Sequence, residues 1–275
     1  MRFLVRGDTH GVFNWMDNGC LKEYNPEDTA IIILGDAGFN YWLNKTDDRL
    51  KKEINEKGFT FYCVRGNHEA RPQNTKCGYE LVYDENVGGQ VYCQPEYPNI
   101  KFFMDYGSYF IGPYQVAVFG GAYSVDKWWR LARAGVYNKL DFDYYKPKKT
   151  GWFYNEQLTT EEMQQAQEEL GNGVYDFVFT HTCPFSWRPT DLFLSQINQN
   201  EVDVSMEKWL EEMKDLMDWK IWLFGHYHAD RLERPCVEQY YNNIEDLDVI
   251  WNRWNRYRLD GSLDWWLNKS PNFYI

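Results

Sequence analysis

Five histidines, and the acidic and amide residues beside them, are the side chains through which this chain could perform chemistry. The chain has 275 residues and only five histidines. Each follows a short apolar run and stands beside Gly, Asp, Asn or another His. Histidines that only fill a core would scatter along helices and strands, so this placement indicates one shared site that could bind metal ions. The five are His10, His68, His181, His226 and His228.

The apolar runs before these residues have the length and composition of β-strands. Residues 3–5 lead into Gly7-Asp8-Thr9-His10, residues 30–34 into Gly35-Asp36, and residues 59–63 into Gly66-Asn67-His68-Glu69. In open α/β sheets, functional side chains lie where strands end. Gly66-Asn67-His68-Glu69 alone could equally be a polar turn, but the placement of the other histidines favours a site.

The order of these motifs resembles that of calcineurin-like metallophosphoesterases. That pattern is D-x-H, G-D, G-N-H-[DE], a single H and G-H-x-H, and it spans residues 7–228 here. Residues 120–127 (GGAYSVDK) and 181–184 (HTCP) also resemble small bacterial members. The resemblance covers roughly the first 230 residues and implies an α/β fold in which two packed mixed β-sheets are flanked by helices, a four-layer αββα sandwich.

The resemblance also implies a role for each residue of the site. Two divalent metal ions, Mn²⁺ or Fe first and Zn²⁺ or Ni²⁺ as alternatives, would share a bridging hydroxide that attacks phosphorus in line. His68 would not be a ligand but would face the leaving group as the catalytic acid, with Glu69 hydrogen-bonded behind it. Asp36 would bridge the metals, with Asp8, His10 and His228 on the first and Asn67, His181 and His226 on the second.

One departure from the protein Ser/Thr phosphatases concerns phosphate binding. Those enzymes carry an Asp-Arg pair shortly after the second motif, whereas this chain continues with residues 37–42 (AGFNYW), which contain no Arg. A protein Ser/Thr phosphatase is therefore a less favoured alternative. The candidates for substrate binding, each of which could also be an ordinary surface residue, are Asn40, Arg71, Tyr123, Lys127 and Arg130.

Composition limits the class of substrate. The net charge is −12 and aromatic residues make up 19% of the chain. Because nucleic-acid binders gain affinity from Lys and Arg, duplex nucleic acid is an unlikely partner. We therefore expect a phosphomonoesterase or phosphodiesterase for a small or nucleotide-like phosphoester, with a metal-dependent nuclease as the alternative. A non-enzymatic scaffold is disfavoured because every ligand position is filled. The oligomeric state is left open.

The chain is predicted to be one domain, residues 1–275, with a lid at residues 123–155 and a C-terminal extension at residues 229–275. The lid mixes aromatic and basic residues against an acidic background, although a solvated loop would also fit. If it is a lid, Lys127→Ala and Arg130→Ala should impair nucleotide-like substrates more than p-nitrophenyl phosphate. A start without signal-peptide features, no apolar run of membrane length and six cysteines without C-x-x-C predict a cytoplasmic protein that does not enter a membrane.

Several elements that position the site can also be predicted. Thr46-Asp47-Asp48 can begin a helix that ends near Gly58, Thr159 can open a capping box, and an amphipathic helix is expected from about Ser205 to Met217. Residues 101–104, 108–111 and 115–119 are closely spaced strand candidates that favour a meander. After residue 228 we expect a closing strand pair and a packed tail.

Overall fold

Two mixed β-sheets, with helices packed on them, form the framework of the molecule, which is described by a computed structural model over residues 1–73, 77–135 and 151–261. This confirms the predicted fold. The strands are β1 (Arg2–Arg6), β2 (Thr29–Ile33), β3 (Thr60–Cys63), β4 (Glu80–Asp84), β5 (Gly89–Cys93), β6 (Ile100–Phe103), β7 (Tyr106–Ile111), β8 (Tyr114–Phe119), β9 (Val174–Thr180), β10 (Asp218–Phe224), β11 (Arg231–Arg234), β12 (Val237–Gln239) and β13 (Ile244–Asp246). The helices are α1 (Lys45–Asn55), α2 (Lys127–Arg133), α3 (Thr160–Leu170), α4 (Ser205–Leu216) and α5 (Leu247–Leu259).

Each sheet has a parallel centre and antiparallel edges. Within the described residues, the first sheet has the order β13-β1-β2-β3-β6-β5-β4, in which β1, β2, β3 and β6 run parallel. The second has the order β11-β12-β10-β9-β8-β7, in which β12, β10, β9 and β8 run parallel. Parallel strands release their following loops at one edge of a sheet, so each sheet delivers several loops to one place.

Alternating side chains of the first sheet divide between two hydrophobic cores. In β2, Ala30 and Ile32 point into the core between the sheets, while Ile31 and Ile33 point to the outer face. Ile54 of α1 covers that outer face. Successive side chains of a strand face opposite ways, and here both faces are covered. This explains why the strand reads as a continuous apolar run in the sequence.

The helix starts are defined by side chains that bind free backbone N–H groups. The predicted capping box of α3 is confirmed: Thr159 accepts from Glu162 N, and the Glu162 side chain accepts from Thr159 N. The predicted start of α1 is wrong by two residues. Asn44, and not Thr46, is its N-cap, because the Asn44 side chain accepts from Thr46 N at 2.8 Å. Asp47 instead accepts from the backbone of the preceding turn.

The predicted meander is also wrong. Strands β7 and β8 do form an antiparallel hairpin in the second sheet, but β6 belongs to the first sheet, where it pairs with β3 and β5. The turn after β6 therefore carries the chain from one sheet to the other. The predicted amphipathic helix is present as α4, which buries Met206, Trp209 and Met213.

The segment after residue 228 begins with the antiparallel pair β11 and β12, as expected, and then forms β13 and α5. Helix α5 packs Ile250 and Trp254 into the core. Residues 136–150 of the predicted lid and residues 262–275 of the predicted extension lie outside the described residues. No helix in the described part of the chain is long and apolar enough to cross a membrane.

Candidate metal centre

Loops that follow six strands meet at one edge of the two sheets. The loops after β1, β2 and β3 come from the first sheet, and those after β8, β9 and β10 come from the second. All eight residues predicted to hold metals or to act as the acid lie in five of these loops, and the sixth, after β8, brings Tyr123, Ser124 and Asp126. Interatomic distances divide the candidate ligands into two groups.

Asp8, His10 and His228 form the first group. The Nε2 atoms of His10 and His228 are 2.9 Å apart, and Asp8 Oδ2 lies 3.8 Å and 3.3 Å from them. Two imidazoles on neighbouring positions of one cation, each about 2.1 Å from it, would place their nitrogens about 3 Å apart. The group therefore has the spacing of ligands to a single cation.

The second group gathers around His181. Its Nε2 lies 2.9 Å from Asn67 Oδ1 and 3.5 Å from Asp36 Oδ2. Its Nδ1 lies 2.8 Å from the carbonyl oxygen of Leu34, which fixes the ring so that Nε2 faces the site. The rings of His181 and His226 are 4.9 Å apart. Asp36 also reaches the first group, because its Oδ2 lies 3.9 Å from His10 Nδ1.

The two aspartates are oriented in the same way. Asp8 Oδ1 accepts a hydrogen bond from His226 N, and Asp36 Oδ1 accepts one from His68 N, both at 2.8 Å. One oxygen of each carboxylate thus accepts a hydrogen bond from a backbone N–H group of another loop. The second oxygen of each faces the histidines.

The backbone at the site is held in uncommon conformations. Four of the seven candidate ligands have positive φ angles: 47° at His10, 50° at Asp36, 69° at His226 and 53° at His228. Such angles are uncommon for residues other than glycine and cluster at functional sites. Here they turn side chains from several loops towards a common point.

Two glycines of the motifs are required by close packing at the same place. A Cβ at Gly35 would lie 1.9 Å from His181 Nδ1, and a Cβ at Gly66 would lie 2.0 Å from Asp36 Oδ1. Any other residue at either position would displace a candidate ligand. The G-D and G-N-H motifs thus keep Gly next to the ligating residue for steric reasons.

The electrostatics of the site favour positive charge. Burial disfavours the charged form of Asp36, but His181 and His68 more than offset this and hold its pKa well below the usual value. Burial likewise opposes ionisation of Asp8, and His181 and His228 lower its pKa. For His181, burial lowers the pKa, but Asp36 and Asp8 together raise it to about 9. Two buried, ionised carboxylates therefore draw a cation to this point.

A divalent metal ion fits this arrangement. Asp8 Oδ2 is buried, and its contact with His228 Nε2 at 3.3 Å does not have the geometry of a hydrogen bond. A buried carboxylate oxygen without a partner is costly unless a cation binds it. Its neighbours are imidazole nitrogens and a second carboxylate, which are ligands for first-row divalent metals. These carboxylate oxygens and imidazole nitrogens are therefore better placed to bind metal ions than to form hydrogen bonds with one another.

His68 stands beside the two groups without joining either. Its Nε2 lies 3.3 Å from Asn67 Nδ2 and 3.5 Å from Arg130 Nη2. The ring is 5.7 Å from that of His10, and burial lowers its pKa. In neutral form the imidazole keeps one N–H donor, so it can still stabilise charge on a nearby oxygen.

Arg130, in α2, is held with one nitrogen directed at His68. Its Nε donates to Asp126 Oδ2 at 2.7 Å, and its Nη1 donates to the hydroxyl of Tyr41 at 2.8 Å and the carbonyl of Gly151 at 2.9 Å. Burial opposes the charge, but Asp126 offsets this and raises the pKa of Arg130. The guanidinium is thus a fixed positive charge at the site.

Glu69 lies behind the site and joins two of its loops. Its buried carboxylate accepts hydrogen bonds from Gly38 N at 2.7 Å and Phe39 N at 3.3 Å. These bonds tie the loop after β3 to the loop after β2. Glu69 therefore orients the loop that carries Asn67 and His68.

A second chain of hydrogen bonds sets the orientation of the Asn67 amide. Asn67 Nδ2 donates to Ser124 Oγ at 2.8 Å, and Ser124 Oγ donates to Glu156 Oε2 at 2.6 Å. Glu156 Oε1 also accepts from Ser124 N at 3.0 Å. With its NH₂ group engaged by Ser124, the amide turns its oxygen towards His181.

We expect Ser124→Ala to weaken metal binding by about 10- to 100-fold, the usual cost of removing a group that orients a ligand. Loss of the hydroxyl leaves Asn67 free to rotate and present its NH₂ group. The affinity for Mn²⁺ is measured by calorimetric titration of chelator-treated protein. Ser195→Ala, at an exposed serine, is the matched control and should bind as wild type does. Equal affinity in the two variants would contradict the orienting role of Ser124.

Arg71, a candidate for substrate binding, is engaged elsewhere. Its guanidinium pairs with Glu162 and lies 3.1 Å from Asp105 Oδ2. It also donates to the carbonyls of Asn155 and Gln157. Burial opposes its charge, but Asp105 and Glu162 together raise its pKa. Arg71 thus ties the loop after β3 to the start of α3.

The remaining candidates differ in their access to the site. Asn40 is fully buried, and its Oδ1 accepts from the hydroxyl of Tyr79 at 3.1 Å. Lys127 lies over the ring of Trp152, with its Nζ 4.3 Å from the ring centroid. Tyr123 is largely buried but lines a cavity beside the candidate metal centre.

Two cavities open beside the candidate metal centre, and they share Asp36, His68, Asp126 and His228. The larger, of about 630 Å³, lies against α1 and α2 and is lined by Tyr41, Arg49 and Arg130, among others. The smaller, of about 270 Å³, lies under residues 188–204. The centre therefore lies where the two cavities meet.

Sequence reasoning missed several residues of this site. Ser124 lies within a motif that resembled the family, but its role depends on Glu156, which is 32 residues further along the chain. Tyr41 and Gly151 support Arg130 from two distant loops. No local pattern marks such partners.

Comparison with known proteins bears on the same region. The family model for calcineurin-like phosphoesterases matches residues 1–251, which include every candidate ligand. No curated protein matches the chain. One solved structure is 14% identical, with 90% of this chain and 95% of its own covered at a TM-score of 0.47. The sulfate thiohydrolase SoxB of Thermus thermophilus, solved with glycerol, is 16% identical, with 86% of this chain and 37% of its own covered at a TM-score of 0.34.

Proposed function

The chain belongs to the calcineurin-like phosphoesterase family of metal-dependent hydrolases, and we propose that it uses two divalent cations to hydrolyse a small phosphoester with a nucleotide-like organic group. The observation that carries the proposal is the convergence at Asp36 of side chains from residues 8 to 228. Asp36 faces His10 in one group and His181 in the other, and it binds the backbone of His68. A carboxylate so placed can serve two cations.

Each cation would be held by three side chains and would share Asp36. Oxygen and imidazole donors without a thiolate suit Mn²⁺ or Fe, and also Zn²⁺ or Ni²⁺. When bound, two such cations supply an activated water and neutralise charge on the phosphoryl oxygens. The first set of ligands is Asp8, His10 and His228, and the second set is Asn67, His181 and His226.

His68 and Arg130 would act on the substrate. Arg130 Nη2, held by the contacts to Asp126 and Tyr41, would donate to a phosphoryl oxygen. His68 would donate an N–H to the oxygen of the leaving group as the P–O bond breaks. Because these two groups lie 3.5 Å apart, both can reach one phosphoryl group.

The surroundings support a small substrate. The larger cavity carries Asp47, Glu53 and Asp126 beside Arg49 and Arg130, so its walls are of mixed charge. The chain as a whole has a net charge of −12, which repels extended polyanions. The two cavities therefore suit one phosphorylated molecule better than a nucleic-acid duplex.

We expect Arg130→Ala to lower kcat/KM by about 10- to 100-fold, the cost of losing a hydrogen bond to a charged group. Because Arg130 lies beside His68, we propose that its contact is with the phosphoryl group. The loss should therefore be similar for p-nitrophenyl phosphate, bis-p-nitrophenyl phosphate and AMP, which revises the expectation drawn from the sequence. The measurement is steady-state hydrolysis by the Mn²⁺-loaded protein.

Arg133→Ala is the matched control, because Arg133 lies in the same helix, is exposed and stacks on Trp129. It should hydrolyse all three substrates as wild type does. Equal losses in both variants would show a general effect on α2 and would count against a phosphoryl contact. Efficient cleavage of long duplex DNA by the wild type, with none of the three substrates turned over, would favour a nuclease.

A further inference from the structure

The smaller cavity has a composition different from that of the rest of the site. It reaches from His226, Asn67 and His68 to the segment of residues 188–204, which supplies part of its lining and contains short 3₁₀ turns at Thr190–Leu192 and Gln199–Glu201. Most of its wall is apolar. The apolar side chains include Val125, Leu192, Phe193, Leu194, Ile197 and Val204.

Apart from Asp36 and Asp126 at the candidate metal centre, the wall contains one further carboxyl group. Glu207, in the first turn of α4, is 4% exposed and lines the cavity. Its Oε1 accepts a hydrogen bond from Thr182 Oγ1 at 3.1 Å, whereas its Oε2 has no hydrogen-bond partner among the described residues. A buried carboxylate oxygen without a partner costs free energy unless a ligand supplies a donor.

Neighbouring polar groups form hydrogen bonds with other partners as well, although the charge of Arg188 acts on Glu207. The Thr182 hydroxyl also lies 3.1 Å from the hydroxyl of Tyr227, which fixes the Oε1 side of the carboxyl group. The guanidinium of Arg188 lies over the ring of Phe185 at 3.7 Å, and its Nε donates to the Phe185 carbonyl. Two carboxylate oxygens of this cavity, Glu207 Oε2 and Asp126 Oδ1, therefore have no hydrogen-bond partner among the described residues, and Asp126 is the one that already binds Arg130 through its other oxygen.

We propose that the smaller cavity is a subsite for the organic group of the substrate, and that it selects an aromatic ring carrying an N–H donor such as the amino group of a nucleobase. The apolar wall takes the faces of the ring, and Glu207 Oε2 accepts from its N–H. This inference rests on the proposed function and adds the chemical class of the substrate.

Size and polarity favour this occupant. A volume of about 270 Å³ is slightly below the ~300 Å³ at which pockets for drug-sized ligands begin, so it suits a single ring system. A sugar would bury several hydroxyls against apolar side chains and leave most of them without partners. An aliphatic chain would leave Glu207 Oε2 without a donor. A ring with one N–H donor meets both requirements.

The position of the cavity places this ring next to the scissile bond. His68, the proposed donor to the leaving group, lines the cavity together with Asn67 and His226. His68 also lines the larger cavity, so a ring in the smaller one would lie beside this donor, with the phosphoryl group where the two cavities meet. The ring would belong to the leaving group.

The test uses two probes without phosphate, 9-methyladenine and 9-methylpurine, which differ only in the amino group. Their binding to the Mn²⁺-loaded protein is measured by isothermal titration calorimetry. Because burial raises the pKa of Glu207 to about 7, the titrations are run at about pH 8.5, where the carboxyl group is ionised, and wild type should bind 9-methyladenine at least about 10-fold more tightly, as for one hydrogen bond to a charged acceptor. This binding does not require turnover of a substrate. Failure of the proposed function would therefore be detected separately, because the protein would not hydrolyse phosphoesters.

Two variants test whether the preference for 9-methyladenine depends on Glu207 and whether the probes bind in the smaller cavity. Glu207→Gln keeps the shape, but its amide oxygen would take the Thr182 hydroxyl and its NH₂ would face the ligand, so the preference for 9-methyladenine should disappear. Leu194→Trp, at a side chain that is 50% exposed, should block the cavity and weaken both probes without disturbing the core. Glu212→Gln, at an exposed position of the same helix, should behave as wild type does.

Equal binding of the two probes to wild type, or the same preference in Glu207→Gln as in wild type, would overturn the subsite. Binding that is unaffected by Leu194→Trp would place the ring elsewhere and also overturn it. If neither probe binds detectably but the protein hydrolyses AMP, then the organic group of the substrate is not held in this cavity.

Discussion

An Asp36→Asn protein is expected to lose its bound divalent metal ions, and with them its phosphoesterase activity. Asp36 faces His10 and His181 with one oxygen, and its histidine neighbours keep it ionised although burial opposes the charge. Replacing it by a neutral amide removes a negative charge from both cations at once. The loss of affinity should exceed the ~10- to 100-fold cost of changing a residue that only orients a ligand.

The fold should survive this substitution. The introduced amide keeps an oxygen that can accept from His68 N, and the two side chains are nearly equal in size. Metal content is measured by mass spectrometry after dialysis, and folding by thermal denaturation in the presence of chelator. Asp215→Asn, whose side chain is 73% exposed in α4, is the control. Full metal content in Asp36→Asn would exclude the bridging role.

His68→Ala is expected to show the opposite combination, with about two metal ions retained and turnover reduced by about 10²- to 10⁴-fold. His68 Nε2 faces Asn67 and Arg130 and lies outside both groups of candidate ligands. Its removal takes away only a donor to the leaving group. Metal content and kcat are measured on the same preparation.

A leaving group that needs no proton provides an internal check on this role. The loss in His68→Ala should be larger for a substrate with an alkyl alcohol than for p-nitrophenyl phosphate, whose leaving group is stable as an anion. Loss of metals, with residual turnover in proportion to their occupancy, would instead make His68 a ligand. Together the two variants separate metal binding from help to the leaving group.

The fold was predicted from the family resemblance that the ordered motifs carry, and individual elements were predicted from local patterns in the sequence. Strand β2 reads as a continuous apolar run, since it is covered on both faces, and Gly35 follows because a Cβ there would strike His181. The capping box of α3 is likewise local, since Thr159 and Glu162 are one turn apart. The same local reasoning predicted that the site residues lie at the ends of strands.

Features that depend on distant partners could not be predicted in this way. Strand β6 follows the pattern of its neighbours, yet it pairs with β3 and β5 in the other sheet. Ser124 acquires its orienting role from Glu156, and Glu207 meets Thr182 only after α4 has packed on the second sheet. Such contacts follow from packing between sheets and loops, which sequence spacing does not encode.

Stepwise addition of Mn²⁺ to chelator-treated protein, followed by hydrolysis of bis-p-nitrophenyl phosphate and by calorimetry, tests the central claim most directly. If Asp36 joins two cations, activity should remain low after one equivalent and reach its plateau at two, and the calorimetric stoichiometry should be two per chain. Full activity at one equivalent, or activity that persists without any added metal, would contradict a centre built on two cations.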